Sequence, residues 1–400
     1  MNSEANTGSD ARPARPRSRE TRDPTSTFFS IIVPCCDVEP YVRESLDSVL
    51  NQPFTDWECL IGVETSKDKT EEIVREYAAK DPRFKVFTGP RSGSCSASRN
   101  IGIDMATGKY VIFLDGDDTI AVGSLQRLHD RIAERPGADI YPCAMPVIDE
   151  VHGEELPLRD NYPSDFSGEL TGPKAMLMIY GIHREPCPML QLSVFRREHL
   201  VANGLKCLHG MKRQDSEFMP RALYLAKRVI PIHEPFYIYR LRSGSVSMLA
   251  KKTDYFLKDY AAILKSLLAF HAKVSAEPGF NRRISSYWAR HWLTWLFYYW
   301  FATRAIRGTA RAYRTETLKR IFADGSGDFD ALVSAASRPR RVAARFVKIF
   351  VRHPGLGWLA DAFFRFAYNP LAELRTSRTA TFREGSTRTP RLFRRSTDQG

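Results

Sequence analysis

Apolar segments of strand length alternate with amphipathic segments of helical periodicity from residue 28 onward. The stretches "FFSIIVP" (28–34), "WECLIGV" (57–63) and "RFKVFTG" (83–89) are short and rich in β-branched and aromatic residues, as buried strands are. The apolar residues between them recur at helical spacing, first Val42, Leu46, Val49 and Leu50, then Ile73, Val74, Tyr77 and Ala78. This βαβαβ alternation predicts an α/β fold with a mainly parallel sheet and helices on both faces.

The alternation continues to about residue 150. We expect a helix within "SGSCSASRNIGIDMATGKY" (92–110), with Gly108 as its C-terminal cap, and a strand over "YVIFL" (110–114). A helix over 122–134 and a strand over "ADIYPCAM" (138–145) follow. Because ligands of such sheets bind outside the carboxyl ends of the strands, the residues that follow each strand are candidates for a binding site.

The strand "YVIFL" runs directly into three carboxylates, Asp115, Asp117 and Asp118. Ionised groups without water or a partner strongly destabilise a buried site, so a compensating positive charge is expected. Mg²⁺ and Mn²⁺ favour carboxylate oxygens and commonly use one or two of them together with substrate phosphates. A metal–diphosphate site is therefore the functional interpretation, and a solvated Asp-rich turn is the alternative.

Composition narrows the class of protein. The seven cysteines are scattered and form no Cys-x-x-Cys pair, which favours a reducing compartment and gives little support for structural zinc. Residues 1–27 are polar, with no apolar segment of the kind found in secretory signals, and are expected to be disordered. A cytoplasmic location follows as the expectation.

The C-terminal part of the chain combines helical periodicity with positive charge. Residues 254–322 follow a helical pattern, and the aromatic cluster at 287–301 is nearly apolar on all sides, which favours a buried helix. Residues 338–400 contain 14 Lys and Arg against four Asp and Glu. The amphipathic basic segment "RRVAARFVKIFVRH" (340–353) is typical of helices at anionic lipid surfaces, so peripheral membrane attachment through 340–368 is a hypothesis.

The order of motifs resembles that of one enzyme family. "SIIVP", "ESLDSVLNQ", "SASRNIGI" and "ATGKYVIFLDGDD" follow one another as in the nucleotide-sugar-binding half of the family 2 glycosyltransferases. That family has the GT-A fold, a Rossmann-like, mainly parallel sheet. The resemblance is close over 28–150 and looser to 248.

The resemblance implies an organisation of the chain into domains. The GT-A domain would span 28–248, with a nucleotide-sugar-binding half (28–150) and an acceptor half (151–248). A helical C-terminal region (249–373) and a disordered basic tail (374–400) would follow.

The resemblance also implies a donor site. The loop that holds Pro34 and Asp37 would border the nucleotide, and Glu64 would hydrogen-bond its base. Arg99 would lie near the diphosphate.

The same resemblance assigns the acidic cluster. Asp117 would be the principal ligand of a divalent cation, Mn²⁺ or Mg²⁺, and Asp115 would meet the ribose or the metal. Gly116 would let the ligand approach the backbone. Asp118 would lie behind these ligands.

Two positions depart from the family pattern. The family usually has an aromatic residue and Asn where this chain has Cys36 and Asp37. It also usually has two Asp residues followed by Gly-Ser where this chain has "ETSK" (64–67). Recognition of the base can therefore differ from that of other members.

Catalysis needs a general base, and the resemblance points to a downstream carboxylate. Gln214-Asp215 aligns with the Glu-Asp pair of the family, so Asp215 is the candidate base, with Glu217 as the alternative. A third interpretation is a carboxylate that only stabilises a helix N-terminus.

Positive side chains further along would face the diphosphate. Arg240 and Arg242 alternate on a predicted strand and so share one face, with Ser243 in the adjoining loop. Alternating arginines on an edge strand can instead serve solubility.

These expectations define an inverting glycosyltransferase. It would move a sugar from a nucleotide-sugar donor, by resemblance a UDP-sugar, to a hydroxyl of a glycan, polymer or lipid-linked acceptor. A nucleotidyltransferase would need a Gly-rich basic loop after the first strand, and "PCCDVEP" (34–40) is not one. A non-catalytic protein recruited to nucleic acid is the remaining alternative, but the basic tail lacks base-stacking aromatic residues at regular positions, so no specific nucleic-acid partner is expected.

Overall fold

The computed structural model describes residues 27–150, 153–182, 189–242 and 255–289, together with the single positions 330, 334 and 345. The predicted disordered N-terminal segment up to residue 26, Ser243, the segment 340–368 except residue 345, and the basic tail lie outside the described residues. In the described part of the chain, no helix has the length and hydrophobicity that crossing a bilayer requires.

Within the described residues, ten strands and eight helices have the following bounds. The strands are β1 (Phe29–Cys35), β2 (Trp57–Glu64), β3 (Phe84–Gly89), β4 (Tyr110–Phe113), β5 (Thr119–Ile120), β6 (Ile140–Pro142), β7 (Met145–Asp149), β8 (Glu154–Arg159), β9 (Ser193–Arg196) and β10 (Tyr237–Leu241). The helices are α1 (Glu39–Leu50), α2 (Thr70–Lys80), α3 (Ser96–Met105), α4 (Ser124–Glu134), α5 (Gly172–Ile182), α6 (Arg197–Ala202), α7 (Gln214–Leu225) and α8 (Tyr255–Ser275). A 3₁₀ turn (Leu190–Leu192) precedes β9, and residues 282–289 are helical.

The central sheet has the strand order β3-β2-β1-β4-β9-β6. Strands β1 to β4 pair in parallel, with Phe29 opposite Trp57 on one side and Tyr110 on the other. The predicted βαβαβ unit and the mainly parallel sheet are therefore confirmed.

Strand β9 joins the two halves that the sequence suggested. It comes from the part of the chain after residue 150, yet it pairs antiparallel with β4 and with β6 and so lies between them. The predicted single strand over 138–145 is divided between β6 in the central sheet and β7 in a second sheet. That second sheet has the order β5-β10-β7-β8.

The alternation of side chains along each strand creates two cores. Ile31 and Val33 of β1 face the core under α1, α2 and α4, whereas Ile32 faces the core under α3, α5, α7 and α8. Trp288, the first tryptophan of the aromatic cluster, is fully buried in the second core. The prediction of a buried helix is confirmed at that residue, and positions 290–301 lie outside the described residues.

Gly108 does not cap α3, so that prediction is wrong. The helix ends at Met105, and its C-cap is Ala106. A Cβ at Gly108 would lie 2.6 Å from the backbone nitrogen of Ser30 and 2.7 Å from the carbonyl carbon of Phe29. Glycine is needed here because the chain entering β4 packs directly on the backbone of β1.

Glu58 in β2 links its own strand to β1, to β3 and to the turn that precedes β4. Its Oε1 accepts hydrogen bonds from Ser30 Oγ (2.6 Å), Thr107 N (2.7 Å) and Thr107 Oγ1 (2.8 Å), and its Oε2 pairs with Lys85 Nζ (2.7 Å). Burial opposes ionisation, but these partners outweigh it and hold the pKa of Glu58 below its ordinary value of 4.5.

We expect Glu58→Gln to lower the free energy of unfolding by about 2 kcal/mol near neutral pH, because the variant removes the charge from four hydrogen bonds in a buried site. A lowered pKa stabilises the fold above the ordinary value of 4.5, and this stabilisation is lost as the pH falls through the folded-state pKa. Urea denaturation at pH 7 and at pH 4 measures both effects, with Glu71→Gln, in an exposed pair with Arg75, as the control. Equal stability of wild type and Glu58→Gln at pH 7 would contradict the prediction.

Candidate active site

Three loops meet at the carboxyl edge of the parallel strands. They follow β1, β2 and β4, whose ends lie side by side in the sheet. A Cβ at Gly116 would lie 2.8 Å from Cys35 Sγ and 3.2 Å from the carbonyl oxygen of Pro34. Glycine thus lets the loop after β4 pack against the loop after β1, and this contact forms the floor of the site.

Asp115 is held by two partners from distant segments. Arg99 of α3, which is 2% exposed, pairs with its Oδ1, and Gln191 Nε2 donates to its Oδ2 at 2.7 Å. The backbone N–H of Asp115 donates to the hydroxyl of Tyr237 at 3.3 Å. Arg99 and Asp115, which the resemblance assigns separately to the donor site, are therefore in direct contact. Sequence reasoning missed Gln191, because the turn before β9 carries no motif that marks it.

Asp117 pairs with Arg242. Arg242 Nε and Nη2 lie 2.9 and 2.7 Å from Asp117 Oδ2, and the carboxylate side chain remains 23% exposed. Burial raises the pKa of Asp117, and the nearby charge of Asp115 raises it further, whereas Arg242 lowers it. Asp115 and Asp117 are thus both partly exposed at this edge of the sheet, and the positive charge that faces Asp117 is the guanidinium of Arg242.

Asp118 points away from this opening. It is 1% exposed, accepts a hydrogen bond from the Tyr237 hydroxyl, and accepts a second from the backbone N–H of Arg240 at 2.8 Å. Burial, together with Asp117 and Asp115, raises its pKa well above the ordinary value. Asp118 therefore attaches β10 to the loop after β4.

Arg240 and Arg242 share one face of the β10 segment. Both guanidinium groups lie over the ring of Tyr41, at 5.4 and 4.7 Å from its centroid. Arg240 also pairs with Glu44 at 2.6 Å and with Glu150, and its Nε donates to the carbonyl of Asp117. The prediction of a shared face is confirmed.

The rim of the site carries the residues predicted to border the nucleotide. Asp37 has a left-handed backbone (φ 51°), pairs with Arg91 at 2.6 Å and accepts from the backbone N–H of Lys67 at 2.7 Å. Arg91 and this N–H hold the pKa of Asp37 below its ordinary value. Both oxygens of the buried Glu64 accept from Ser92, one from its N–H (2.9 Å) and one from its hydroxyl (2.6 Å). These contacts join the loops after β1, β2 and β3 into one rim.

Asp215 is the second residue of α7 and is partly buried. Its Oδ1 accepts from the backbone N–H of Ser216 at 2.8 Å. Burial raises its pKa, and Asp115 adds to this, whereas Arg213 and Arg99 act in the opposite direction. Asp215 therefore lies within electrostatic range of the Arg99–Asp115 pair, although about 100 residues separate it from that pair in sequence.

Glu217 does not share this environment. It is 1% exposed, pairs with Arg221 at 2.6 Å and accepts from Ser266 Oγ at 2.6 Å. Its oxygens are occupied by contacts within α7 and with α8. This occupancy favours Asp215 over Glu217 as the candidate base.

The "SASRN" segment holds the chain that leads to Asp215. Asn100 exchanges two hydrogen bonds with the backbone of Cys207, at 2.9 and 2.7 Å. Ser96 Oγ accepts from the N–H of Gly210 at 2.9 Å, and Ser94 Oγ donates to the carbonyl of Met211 at 2.9 Å. The first turns of α3 therefore place Arg99 against Asp115 and also fix the position of residues 207–211.

The pair Asp115 and Asp117 fits a divalent cation. In the described residues, no cluster of three or more His, Cys, Asp or Glu side chains is arranged for a metal. Two carboxylates at a partly open position match a hard cation that takes its remaining ligands from phosphate and water. Burial, and after it the charge of Asp115, raises the pKa of Asp117, and a bound cation would stabilise its charged form.

Comparisons with known proteins agree with this architecture. Residues 30–200 match the profile of glycosyl transferase family 2. Glycosyltransferase EpsJ of Bacillus subtilis is 29% identical over 276 residues, which cover 67% of this chain and 77% of EpsJ. The minor teichoic acid biosynthesis protein GgaB of the same organism is 36% identical over 234 residues, 56% of this chain and 24% of GgaB.

A solved structure shows the same fold. Residues 1–349 of S. aureus TarS, in complex with UDP-GlcNAc, superimpose with a TM-score of 0.60 at 20% identity, covering 76% of this chain and 83% of that one. The profile match, the relatives and the fold lead to one assignment: residues 30–200 form a glycosyltransferase domain of family 2, and the described part of the chain has the GT-A fold.

Proposed function

We propose that the protein transfers a sugar from a UDP-sugar to a hydroxyl of a glycan, polymer or lipid-linked acceptor, with inversion at the anomeric carbon, assistance from a divalent cation, and Asp215 as general base. The observation that carries this proposal is the position of Arg99. It is buried, pairs with Asp115, and its charge opposes the rise in the pKa of Asp215 that burial causes. It therefore links the donor side of the site to the acceptor side.

The donor would bind along the carboxyl edge of the sheet. Pro34, Asp37 and Glu64 would border the nucleoside. The Asp37–Arg91 and Glu64–Ser92 contacts would hold that rim in shape before the ligand arrives. Gly116 leaves the backbone of the loop after β4 without a side chain at this edge.

The diphosphate would lie beside Asp115 and Asp117, whose oxygens would hold the cation, Mn²⁺ or Mg²⁺. When bound there, the cation supplies positive charge that stabilises the departing nucleoside diphosphate. Arg242 would exchange its contact with Asp117 for a phosphate oxygen, and Ser243 would contribute from the following loop. Arg240 would keep Arg242 on this face through the stack on Tyr41.

Asp215 would remove the proton from the acceptor hydroxyl as that oxygen attacks the anomeric carbon. The bond from that carbon to the diphosphate oxygen breaks on the opposite face, so the sugar inverts. Burial of the carboxylate strengthens it as a base, because a raised pKa increases its proton affinity. Arg99 would hold Asp115 in place through their ion pair.

A panel of nucleotide sugars tests the reaction class. With Mn²⁺ present, we expect UDP release to exceed release of GDP, CDP or dTDP at least about tenfold, because one nucleotide would fit the rim. UDP-GlcNAc, the ligand of the TarS complex, is the first donor to test. Coupled detection of nucleoside diphosphate and of pyrophosphate distinguishes the classes. Release of pyrophosphate from UTP and a sugar 1-phosphate, supplied in a parallel assay, would instead identify a nucleotidyltransferase.

The acceptor and the location are part of the same proposal. A polymeric acceptor has support from GgaB, whose name places it in minor teichoic acid biosynthesis.

A cytoplasmic protein attached to the inner face of the plasma membrane through 340–368 has support from the amphipathic sequence of that segment. Flotation with anionic liposomes, with and without residues 338–400, tests the attachment.

A further inference from the structure

Helix α8 contacts the segment that carries Asp215. Asp259 on α8 is 7% exposed, and its Oδ2 accepts a hydrogen bond of 2.7 Å from the backbone N–H of Lys212. The backbone N–H of Arg213 faces the same carboxylate. A buried acidic side chain from the helical region after the sheet domain therefore binds the chain two and three residues before Asp215.

Helix α7 has no N-terminal cap of its own. It begins at Gln214, and its N-cap residue, Arg213, makes no side-chain hydrogen bond to the first turn. The N–H groups at a helix start need an acceptor, which Ser, Thr, Asp or Asn usually supplies at the N-cap position. Asp259, from another helix, supplies an acceptor to the backbone N–H groups of Lys212 and Arg213, the two residues that precede α7. Its charge also complements the positive end of the α7 dipole.

A second polar contact joins the same two helices farther from the base. Ser266 Oγ, about two turns beyond Asp259 on α8, donates to Glu217 at 2.6 Å. The apolar faces of α7 and α8 share one buried core that includes Phe218, Ala222, Ile263 and Leu267. This core keeps α8 against α7, so the contact of Asp259 acts from a rigid support.

We propose that Asp259 is a positioning residue, which holds Asp215 in its reactive orientation through the backbone of residues 212–213. This inference rests on the proposed role of Asp215 as base. It makes the helical region after residue 248 part of the catalytic apparatus. A carboxylate base acts only within hydrogen-bond reach of its proton, and displacements of about 1 Å can lower a rate by up to about 100-fold.

The test compares Asp259→Ala, Asp259→Asn and Ser266→Ala in the full chain. The rate is UDP release from UDP-GlcNAc, or from the fastest donor of the panel, with Mn²⁺. We expect Asp259→Ala to lower turnover about tenfold with the KM for the donor within about twofold, because the donor contacts are untouched. Asp259→Asn keeps an acceptor oxygen and should recover a large part of the turnover. Ser266→Ala should stay within about twofold of wild type.

Two further readouts separate positioning from stability. Hydrogen–deuterium exchange of residues 212–216 should become faster in Asp259→Ala and stay unchanged in Ser266→Ala. The acid limb of the rate profile should move to lower pH in Asp259→Ala, because a displaced Asp215 becomes more hydrated and burial is what raises its pKa.

Several outcomes would overturn the inference. Equal turnover losses in Asp259→Ala and Ser266→Ala, in proportion to their melting temperatures, would reduce the contact to a stability role. Unchanged exchange at 212–216 in Asp259→Ala would show that it does not hold the segment. Wild-type UDP release by Asp215→Asn would instead overturn the proposed base. If only the predicted effects of the Asp259 variants are absent, Asp215 remains the proposed base.

Discussion

Asp215→Asn is expected to lower turnover by about 10²–10⁴-fold while donor binding stays near wild type, because the amide has the shape of the carboxylate but cannot accept the acceptor proton. Turnover is measured as UDP release or as transfer to an identified acceptor. Binding of UDP with Mn²⁺ is measured by calorimetry. The wild-type rate should also fall as the pH drops through the pKa of Asp215, which burial raises above its ordinary value of 3.8. The neutral acid form has no capacity as a base.

The matched control is Asp104→Asn. Asp104 is an exposed carboxylate on α3 that pairs with Lys206, in the segment that α3 holds in place. The variant removes one negative charge from the same part of the surface and should leave turnover near wild type. A wild-type rate in Asp215→Asn, with intact binding of UDP, would mean that another group takes the proton.

Asp117→Ala is expected to weaken Mn²⁺-dependent binding of the UDP-sugar by about 100-fold or more. Loss of even a supporting group at a metal site lowers affinity about 10–100-fold, and Asp117 would be a direct ligand. Calorimetry with UDP and Mn²⁺ reports this loss without any turnover. Binding of UDP in EDTA should change little, because the rim contacts of the nucleoside do not depend on the cation.

Glu44→Gln is the control for the lost charge. Glu44 is an exposed carboxylate that pairs with Arg240, next to Arg242 on the same face. Its variant should bind Mn²⁺ and UDP within about threefold of wild type, since an exposed ion pair contributes little. Equal weakening in Asp117→Ala and Glu44→Gln would indicate a general effect of surface charge and contradict the assignment of Asp117 as a metal ligand.

Local patterns were sufficient to predict the donor half of the fold. The apolar runs at 28–34, 57–63 and 83–89 correspond to β1, β2 and β3. They could be predicted as strands because each is too short for a helix and is followed by an amphipathic helical segment. The same logic placed Asp115 and Asp117 at a carboxyl edge, where the structure brings them together with Arg99 and Arg242.

Long-range contacts could not be predicted from one sequence. Gln191 binds Asp115 only because β9 inserts beside β4, and the four residues of β9 carry no signal of their partners. Gly108 fits the C-cap pattern of α3, yet the close approach of the β1 backbone explains its identity. Asp259 binds the backbone just before a helix more than 40 residues away in sequence, a relation that neither helix reveals alone.

The insertion of β9 between β4 and β6 limits how enzymes of this kind can be recombined. A chimera joined near residue 150 would pair the β4 and β6 of one parent with the β9 of another, across a sheet that must match in register. Engineers who wish to change the acceptor should therefore graft surface loops onto an intact sheet, and natural shuffling of whole halves would meet the same obstacle.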